Sequence, residues 1–276
     1  MKGLNHFHSA CAICLATFQT PSFGGAWSQQ KGHYYAKFSG IYYTSNERYN
    51  DMGMRDELGQ DGEEFRSTQG FLYLEYGLVD RLTTVAQFQG GRLVNENALI
   101  RQTTVGTGDM DLGLKCQWID APLVLAPFVT AKIPGGYDKK YEPPLGTGDI
   151  DLEFRLLAAR SFHPWPLYAG AEVGYRLRGG PFSNQVPYLL EIGSSFREGM
   201  FAKVYVSGAQ TRSKTENLGL VGAGVQVSEG DFAKVGLNLA FQTVGSIWVD
   251  LLWETVFDGN NVGAGATWGL GISTIQ

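Results

Sequence analysis

Gly106-Thr107-Gly108-Asp109-Met110-Asp111-Leu112 recurs as Gly146-Thr147-Gly148-Asp149-Ile150-Asp151-Leu152. Each copy opens a run in which polar and apolar residues alternate. After the first copy, Asp109, Asp111, Gly113, Lys115 and Gln117 share one parity, and Met110, Leu112, Leu114, Cys116 and Trp118 share the other. After the second, Asp149, Asp151, Glu153 and Arg155 oppose Ile150, Leu152, Phe154 and Leu156. Successive side chains of a strand point to opposite faces, so this period marks a strand between two unlike environments. In a soluble sandwich the apolar face enters a core. In an outer-membrane barrel it enters lipid, and the charged face enters a lumen.

Alternating segments fill the chain near 33–44, 69–79, 82–91, 108–119, 122–133, 148–160, 166–178, 186–197, 200–211, 217–228, 231–243, 247–257 and 262–275. Most run for about 10–13 residues. Soluble strands average about 5–6 residues, whereas a tilted membrane strand needs about 9–11. Length therefore favours an all-β, transmembrane, antiparallel up-and-down β-barrel. Thirteen segments conflict with the even strand numbers of single-chain bacterial barrels. We expect about twelve strands, with fourteen as the alternative.

The connections differ in length. Asp80-Arg81, Asp120-Ala121-Pro122 and Arg197-Glu198-Gly199 read as tight turns. Asn46 to Arg66, Arg92 to Thr107, Pro134 to Gly146 and Gly179 to Gln185 read as long polar loops. Short periplasmic turns and longer extracellular loops are the outer-membrane pattern. The first loop carries Glu47, Asp51, Asp56, Glu57, Asp61, Glu63 and Glu64, and reads as a solvated loop rather than a cation site.

Residues 1–28 read as a secretory signal peptide, leaving 29–276 as the barrel. Lys2 gives a weak n-region, Ser9 to Phe18 a short apolar core, and Ala26-Trp27-Ser28 small residues at the cleavage positions. The apolar run is too short for a membrane helix, and neither Cys11 nor Cys14 sits in a lipobox. Cys116 then stands alone in the mature chain, which excludes a disulfide framework and a cysteine metal site.

Composition agrees with alternation. The chain has 37 Gly, 16 Phe, 13 Tyr, 6 Trp and 43% hydrophobic residues, yet its mean hydropathy is −0.13. Polar neighbours dilute every apolar residue. Twenty-two basic residues face 27 acidic ones, and no basic patch points to nucleic acid.

The two parities separate cleanly. Leu72, Leu74, Tyr76, Leu78, Leu125, Val129, Ile133, Leu167, Val173, Tyr175, Leu177, Val235, Leu237, Leu239, Phe241, Trp268, Leu270 and Ile272 form an uncharged set assigned to lipid. The opposite parity holds Asp109, Asp111, Lys115, Lys132, Asp149, Asp151, Glu153, Arg155, Glu172, Arg176, Arg178 and Lys203, assigned to the lumen as pore-lining residues. It also holds Glu75, Gln87, Glu191, Lys234, Asp250 and Glu254. Both signs are present in similar number. They either pair into a polar core that conducts nothing or line a path that selects solutes by charge and size. Asp109, Asp111, Asp149 and Asp151 are expected to cluster on one wall near the extracellular mouth.

Val105-Gly106-Thr107-Gly108-Asp109-Met110-Asp111-Leu112-Gly113-Leu114-Lys115 resembles the central signature of a bacterial outer-membrane barrel family labelled meta-pathway of phenol degradation, or transporter. Ala126 to Gly136 resembles its next strand, Phe257-Asp258-Gly259-Asn260-Asn261 its last loop, and Gly269-Leu270-Gly271-Ile272 its last strand. The resemblance covers roughly residues 69–275. It implies a channel or transporter for small solutes, hydrophobic or aromatic compounds among them, set in outer-membrane lipid after export. Barrels of this kind usually end on an aromatic residue that the barrel-assembly machinery reads. This sequence ends Ser273-Thr274-Ile275-Gln276, a departure from that signal.

Enzymatic readings find little support. A lipid hydrolase needs Ser and His in contact, with a third group orienting the His. Beyond residue 28 the histidines are His33 and His163, both at expected periplasmic ends. The Asp pairs, two residues apart on one strand, suit a wall better than a glycosidase site. Calcium ligands at fixed spacing do not follow the repeated phrase, and its Gly-x-Gly precedes a strand, not a helix. We expect no cofactor and no catalysis. A closed structural barrel is the runner-up reading, and a lipid hydrolase the third.

The mature protein should fractionate with outer membranes and migrate faster on a gel when unheated. Full solubility, with no heat-dependent mobility, would remove the barrel reading.

Overall fold

The computed structural model describes residues 25–59, 62–212 and 230–276. Twelve of its strands form a closed antiparallel barrel. In chain order the strands are β1 (Tyr34–Ser45), β2 (Glu47–Tyr49), β3 (Arg55–Glu57), β4 (Glu64–Val79), β5 (Leu82–Glu96), β6 (Arg101–Cys116), β7 (Val124–Ile133) and β8 (Asp151–Ser161). They continue with β9 (Leu167–Leu177), β10 (Asn184–Arg197), β11 (Met200–Arg212), β12 (Asp231–Gln242), β13 (Ile247–Asn260), β14 (Val262–Gly263) and β15 (Ala266–Ile275). Neighbours in the wall follow chain order, with β1 joining β4 on one side and β15 on the other. The short β14, β2 and β3 form a separate small sheet above one end.

The seam between first and last strands runs from Tyr35↔Ile275 to Thr44↔Ala266 without a break. It removes the edges that a hydrocarbon layer does not tolerate. The expected segment 217–228 lies outside the described residues. The barrel closes at twelve without it, because β11 pairs directly with β12 from Met200↔Phe241 to Ala209↔Phe232.

One end of the barrel carries short turns. Asp80-Arg81 and Glu198-Gly199 are two-residue hairpins, and Arg81 and Gly199 both take a φ of 71°, the left-handed conformation such turns require. The other end carries the longest described connections, 46–63 and 134–150, although 97–100 and 261–265 there are short. At the turn end, the tight turn expected at Asp120-Ala121-Pro122 is part of the longer connection 117–123. Arg92 to Thr107 is not a loop. Pairing continues through Arg92↔Val105 to Glu96↔Arg101, and only 97–100 turn. Asn97 makes that turn by accepting the Leu99 and Ile100 amides on its side-chain oxygen. The stretch looked loop-like because this hairpin rises past the apolar band, where its outer face no longer needs apolar residues.

The repeated phrase also resolves into two different structures. Its second copy runs up to β8 and only Asp151 and Leu152 enter that strand, whereas its first copy lies wholly inside β6. There the register shifts between Phe88↔Met110 and Gly90↔Thr107. This bulge leaves Gly108 and Asp109 both turned inward, so the parity read from Asp109 onward holds only below it.

Outside the bulge the faces are as expected. Leu72, Leu270, Ile272, Val173 and Tyr175 are exposed, whereas Lys37, Glu75, Lys115, Glu153 and Arg155 are buried in the lumen. Leu237 and Asn238 test this assignment on adjacent residues of β12. Asn238 points inward and donates to Asp250 at 3.1 Å. Leu237→Arg should cost about 2–4 kcal/mol at mid-bilayer and impair assembly, while Asn238→Arg is tolerated better. Equal yields of heat-modifiable barrel from both variants would overturn the assignment on this strand.

Candidate functional site

The lumen is the natural place to look for function, and its wall is built from ion pairs. Lys115 meets Glu75 at 3.1 Å. Lys132 bridges Asp109 at 3.3 Å and Asp151 at 2.8 Å. Glu153 is held by both Arg155 and Arg176, the latter at 2.5 Å. Arg155 reaches on to Glu172 at 3.0 Å, and Arg178 to Asp151 at 3.8 Å. Lys203 meets Glu191 at 2.7 Å. Asp111 accepts a long hydrogen bond from Gln87 at 3.5 Å.

All but one of the residues assigned to the lumen therefore line the inner wall. Asp149 does not. It sits in the connection before β8 and pairs with the exposed Lys139 at 2.8 Å. The four aspartates thus form no bare negative patch. Lys132 stands between Asp109 and Asp151, and Asp149 has its own lysine. The registers explain the pairing: Lys132 lies directly across from both Asp111 and Asp151, and Glu153 across from Arg176. Opposite charges on facing positions stabilise a sheet, and inside a narrow lumen they also avoid an unpaired buried charge.

Two further pairs join Lys234, Asp250 and Glu254, placed on the inward parity but not among the pore-lining residues, and Lys37, which the sequence reading did not name. Lys37 meets Asp250 at 2.8 Å, and Lys234 meets Glu254 at 2.9 Å. The first spans β15, which lies between β1 and β13. Gly271 makes this possible, because a Cβ there would meet Lys37 Cε at 2.8 Å and Asp250 Oδ1 at 2.6 Å. Tyrosines complete the set: Tyr205 donates to Glu254 at 2.8 Å and Tyr168 to Glu191 at 3.0 Å.

Apolar layers fill the space between these charges. At the loop end, Tyr43, Phe65 and Leu93 of the wall pack with Leu58 and Leu145, which come from connections. At mid-height, Ile41 and Phe71 meet Tyr205 and Leu252 across the lumen. At the turn end, Val124, Ala126, Leu157 and Ala159 pack with Ala26, with Trp27 and Phe128 against them. A small cavity lined by Arg155, Tyr188, Tyr205, Lys234 and Glu254 has room for roughly one water molecule. The signal for these layers was an aromatic residue on the charged parity. Phe71 shares its face with Glu75 and is 1% exposed.

The loop-end layer is anchored by the connection 134–150, which folds inward. Tyr137 donates to Asp109 at 2.5 Å and accepts from the Gly148 amide at 2.8 Å. Burial and the Asp109 carboxylate hold the Tyr137 hydroxyl well above its usual pKa. Lys132 donates to Thr147 at 2.5 Å. His33 lies beside β1 at the turn end, and His163 lies in the turn between β8 and β9. No group of three or more His, Cys, Asp or Glu that could hold a metal occurs among the described residues.

No protein-family model matches the chain, and no curated protein matches it. Solved structures do. An outer-membrane channel from Pseudomonas putida F1 is similar with a TM-score of 0.73 at 14% identity, over 93% of this chain and 99% of that one. The NanC porin is similar with a TM-score of 0.53 at 7% identity, over 87% and 98%. The translocator domain of the autotransporter NalP from Neisseria meningitidis is similar with a TM-score of 0.50 at 8% identity, over 90% of each chain. At these identities the likeness is one of fold. The chain has the closed antiparallel β-barrel fold of outer-membrane proteins.

Lys132 is the most economical test of the paired wall. Lys132→Met should lower the temperature at which the barrel loses its fast-migrating form, because it leaves Asp109 and Asp151 without their shared cation. Breaking a buried pair costs about 3–5 kcal/mol, and the partial exposure of Lys132 puts it at the low end. Adding Asp109→Asn should recover part of the loss. An unchanged transition in Lys132→Met would mean that these pairs carry no stability.

Proposed function

We propose that this protein is a gated outer-membrane channel for small solutes, with its turn end in the periplasm and its loop end outside. One observation carries the reading. Two of the three apolar layers are completed by chain that is not barrel wall. Leu58 and Leu145 come from connections at one end, and Ala26 and Trp27 from the segment before β1 at the other. A barrel needed only as a scaffold has no reason to fill its lumen with separable pieces. The fold likeness to an outer-membrane channel over nearly the whole chain supports the same reading.

The layers also bear on what passes. Tyr43, Phe65, Phe71, Tyr205, Trp27 and Phe128 put aromatic rings at every level of the lumen. Aromatic faces attract flat apolar solutes, which supports the hydrophobic or aromatic class implied by the sequence resemblance. Outer-membrane lipid surrounds the band, and the barrel-assembly machinery inserts it after export. A second reading is a structural barrel with a closed lumen. It is favoured by the mid-height cluster of Ile41, Phe71, Tyr205 and Leu252, all of which belong to the wall.

Planar-bilayer recording decides between them. Truncating the loop-borne side chains with Leu58→Ala and Leu145→Ala should raise conductance or open probability several-fold. In vesicles, phenol-sized aromatics should permeate faster than sugars of similar size. Absence of conductance in both wild type and variant would favour the structural barrel.

A further inference from the structure

We propose that Arg92, Arg66 and Thr68, on the outer face of β4 and β5, bind a phosphate of the phosphorylated glycolipid of the outer leaflet. The identity of the lipid rests on the loop end lying outside, as proposed above. It does not rest on conduction.

The site follows from where the outer face changes character. Phe38, Leu72 and Phe88 are cross-strand neighbours on β1, β4 and β5, and all three are exposed, as lipid-facing residues are. The next outward row toward the loop end is Gly40, Gly70 and Gly90. The row after that is Tyr42, Thr68, Arg92 and Val105. Tyr42 is exposed, and tyrosine is a residue of the membrane–water interface. Arg92 lies beyond Phe88 on the same strand by about 13 Å at the usual rise. It therefore stands where lipid tails give way to headgroups.

The charges around Arg92 are arranged for an anion. Glu96 is shared by Arg66 and Arg101, the latter at 3.3 Å. Glu64 meets Arg66 at 3.9 Å and accepts from the Thr44 hydroxyl at 2.8 Å. Both carboxylates lie one outward row beyond Arg66, on the side away from Arg92. Arg92 itself is exposed and has no ion-pair partner among the described residues. Its facing neighbours on the ladder are Thr68 and Val105, and Arg66 is its neighbour on the diagonal. Two guanidinium groups and a hydroxyl are thus adjacent on the outer face, with no carboxylate between them. Guanidinium forks match phosphate oxygens in pairs, and basic groups at headgroup depth are drawn to anionic lipid. The glycine row beneath leaves room for an acyl chain to cross the wall. A Cβ at Gly40 would meet nothing within 4 Å, and the atoms nearest to one at Gly90 are β6 backbone, at 3.2 Å or more.

Native mass spectrometry of the barrel, extracted from outer membranes in mild detergent, tests the site. The wild-type protein should retain phosphorylated glycolipid. Arg92→Glu should retain it about ten-fold less, the effect of losing one solvent-exposed, charge-assisted bond. Arg212→Glu, at an exposed arginine on β11 across the ring, should retain as much as the wild type. Arg92 belongs to no ion pair of the wall, so its variant should still give heat-modifiable barrel, and Arg92→Gln serves if it does not. Equal retention by the Arg92 variant and the wild type, glycolipid on neither, a second copy of the chain in its place, or release by excess inorganic phosphate overturns the proposal. Orientation is read separately. In a Cys116→Ser background, Leu99→Cys at the exposed tip between β5 and β6 should react with a membrane-impermeant maleimide on intact cells. No labelling counts against the orientation, whereas labelling without a lipid effect counts against the site.

Discussion

A backbone amide in hydrocarbon has no water to fall back on, and everything else in this structure follows from that. Twelve strands pair in chain order, and the seam of β1 with β15 consumes the last two edges. Closure fixes the faces. Once the ladder is a ring, each strand must present one parity to lipid and the other to the lumen. A slip by one residue would exchange the two. The outward parity carries Leu72, Val173, Leu270 and Ile272, and the inward parity carries the charges.

The ring passes the constraint inward. A lumen of twelve strands is too narrow to leave so many ionised groups in bulk water. The wall therefore places acids and bases on facing or diagonal positions, as with Lys132 and Asp151 or Glu153 and Arg176. Lys37 and Asp250 lie two strands apart, and the intervening Gly271 opens the route between them. The remaining space goes to apolar layers. Their wall members are aromatic or aliphatic residues on the charged parity, and their other members come from outside the wall.

Much of this was legible in the sequence because the period of two is imposed by lipid, strand by strand. The barrel and the inward placement of most of the charged residues came directly from parity. What was not legible depended on events that parity cannot register. One copy of the repeated phrase, with the bulge at Gly108-Asp109, is strand throughout, while the other is connection as far as Ile150. Asp149 consequently pairs with Lys139 rather than with the wall. Residues 92–107 continue the ladder above the apolar band, where composition resembles a loop. The lumen fillers Leu58, Leu145 and Ala26 lie outside the barrel strands, so no periodicity marks them.

The bulge has a further effect on how the loop end is held. By turning Asp109 inward it sets a carboxylate within reach of both Lys132 and Tyr137. The same residues thus hold the wall together and tether the inward-folded connection. The two functions are separable in energy. Releasing the connection gives up the bond from Tyr137 to Asp109 of the wall, the bond from Lys132 to Thr147 and the burial of Leu145, while Lys132 keeps Asp109 and Asp151. Hydrogen bonds contribute about 0.5–1.5 kcal/mol each and a buried leucine about 1.5–3 kcal/mol. The total is a few kcal/mol, the scale that separates exchanging conformations. Breaking the wall's ion pairs would cost more. The loop-end closure is therefore built to yield before the barrel does.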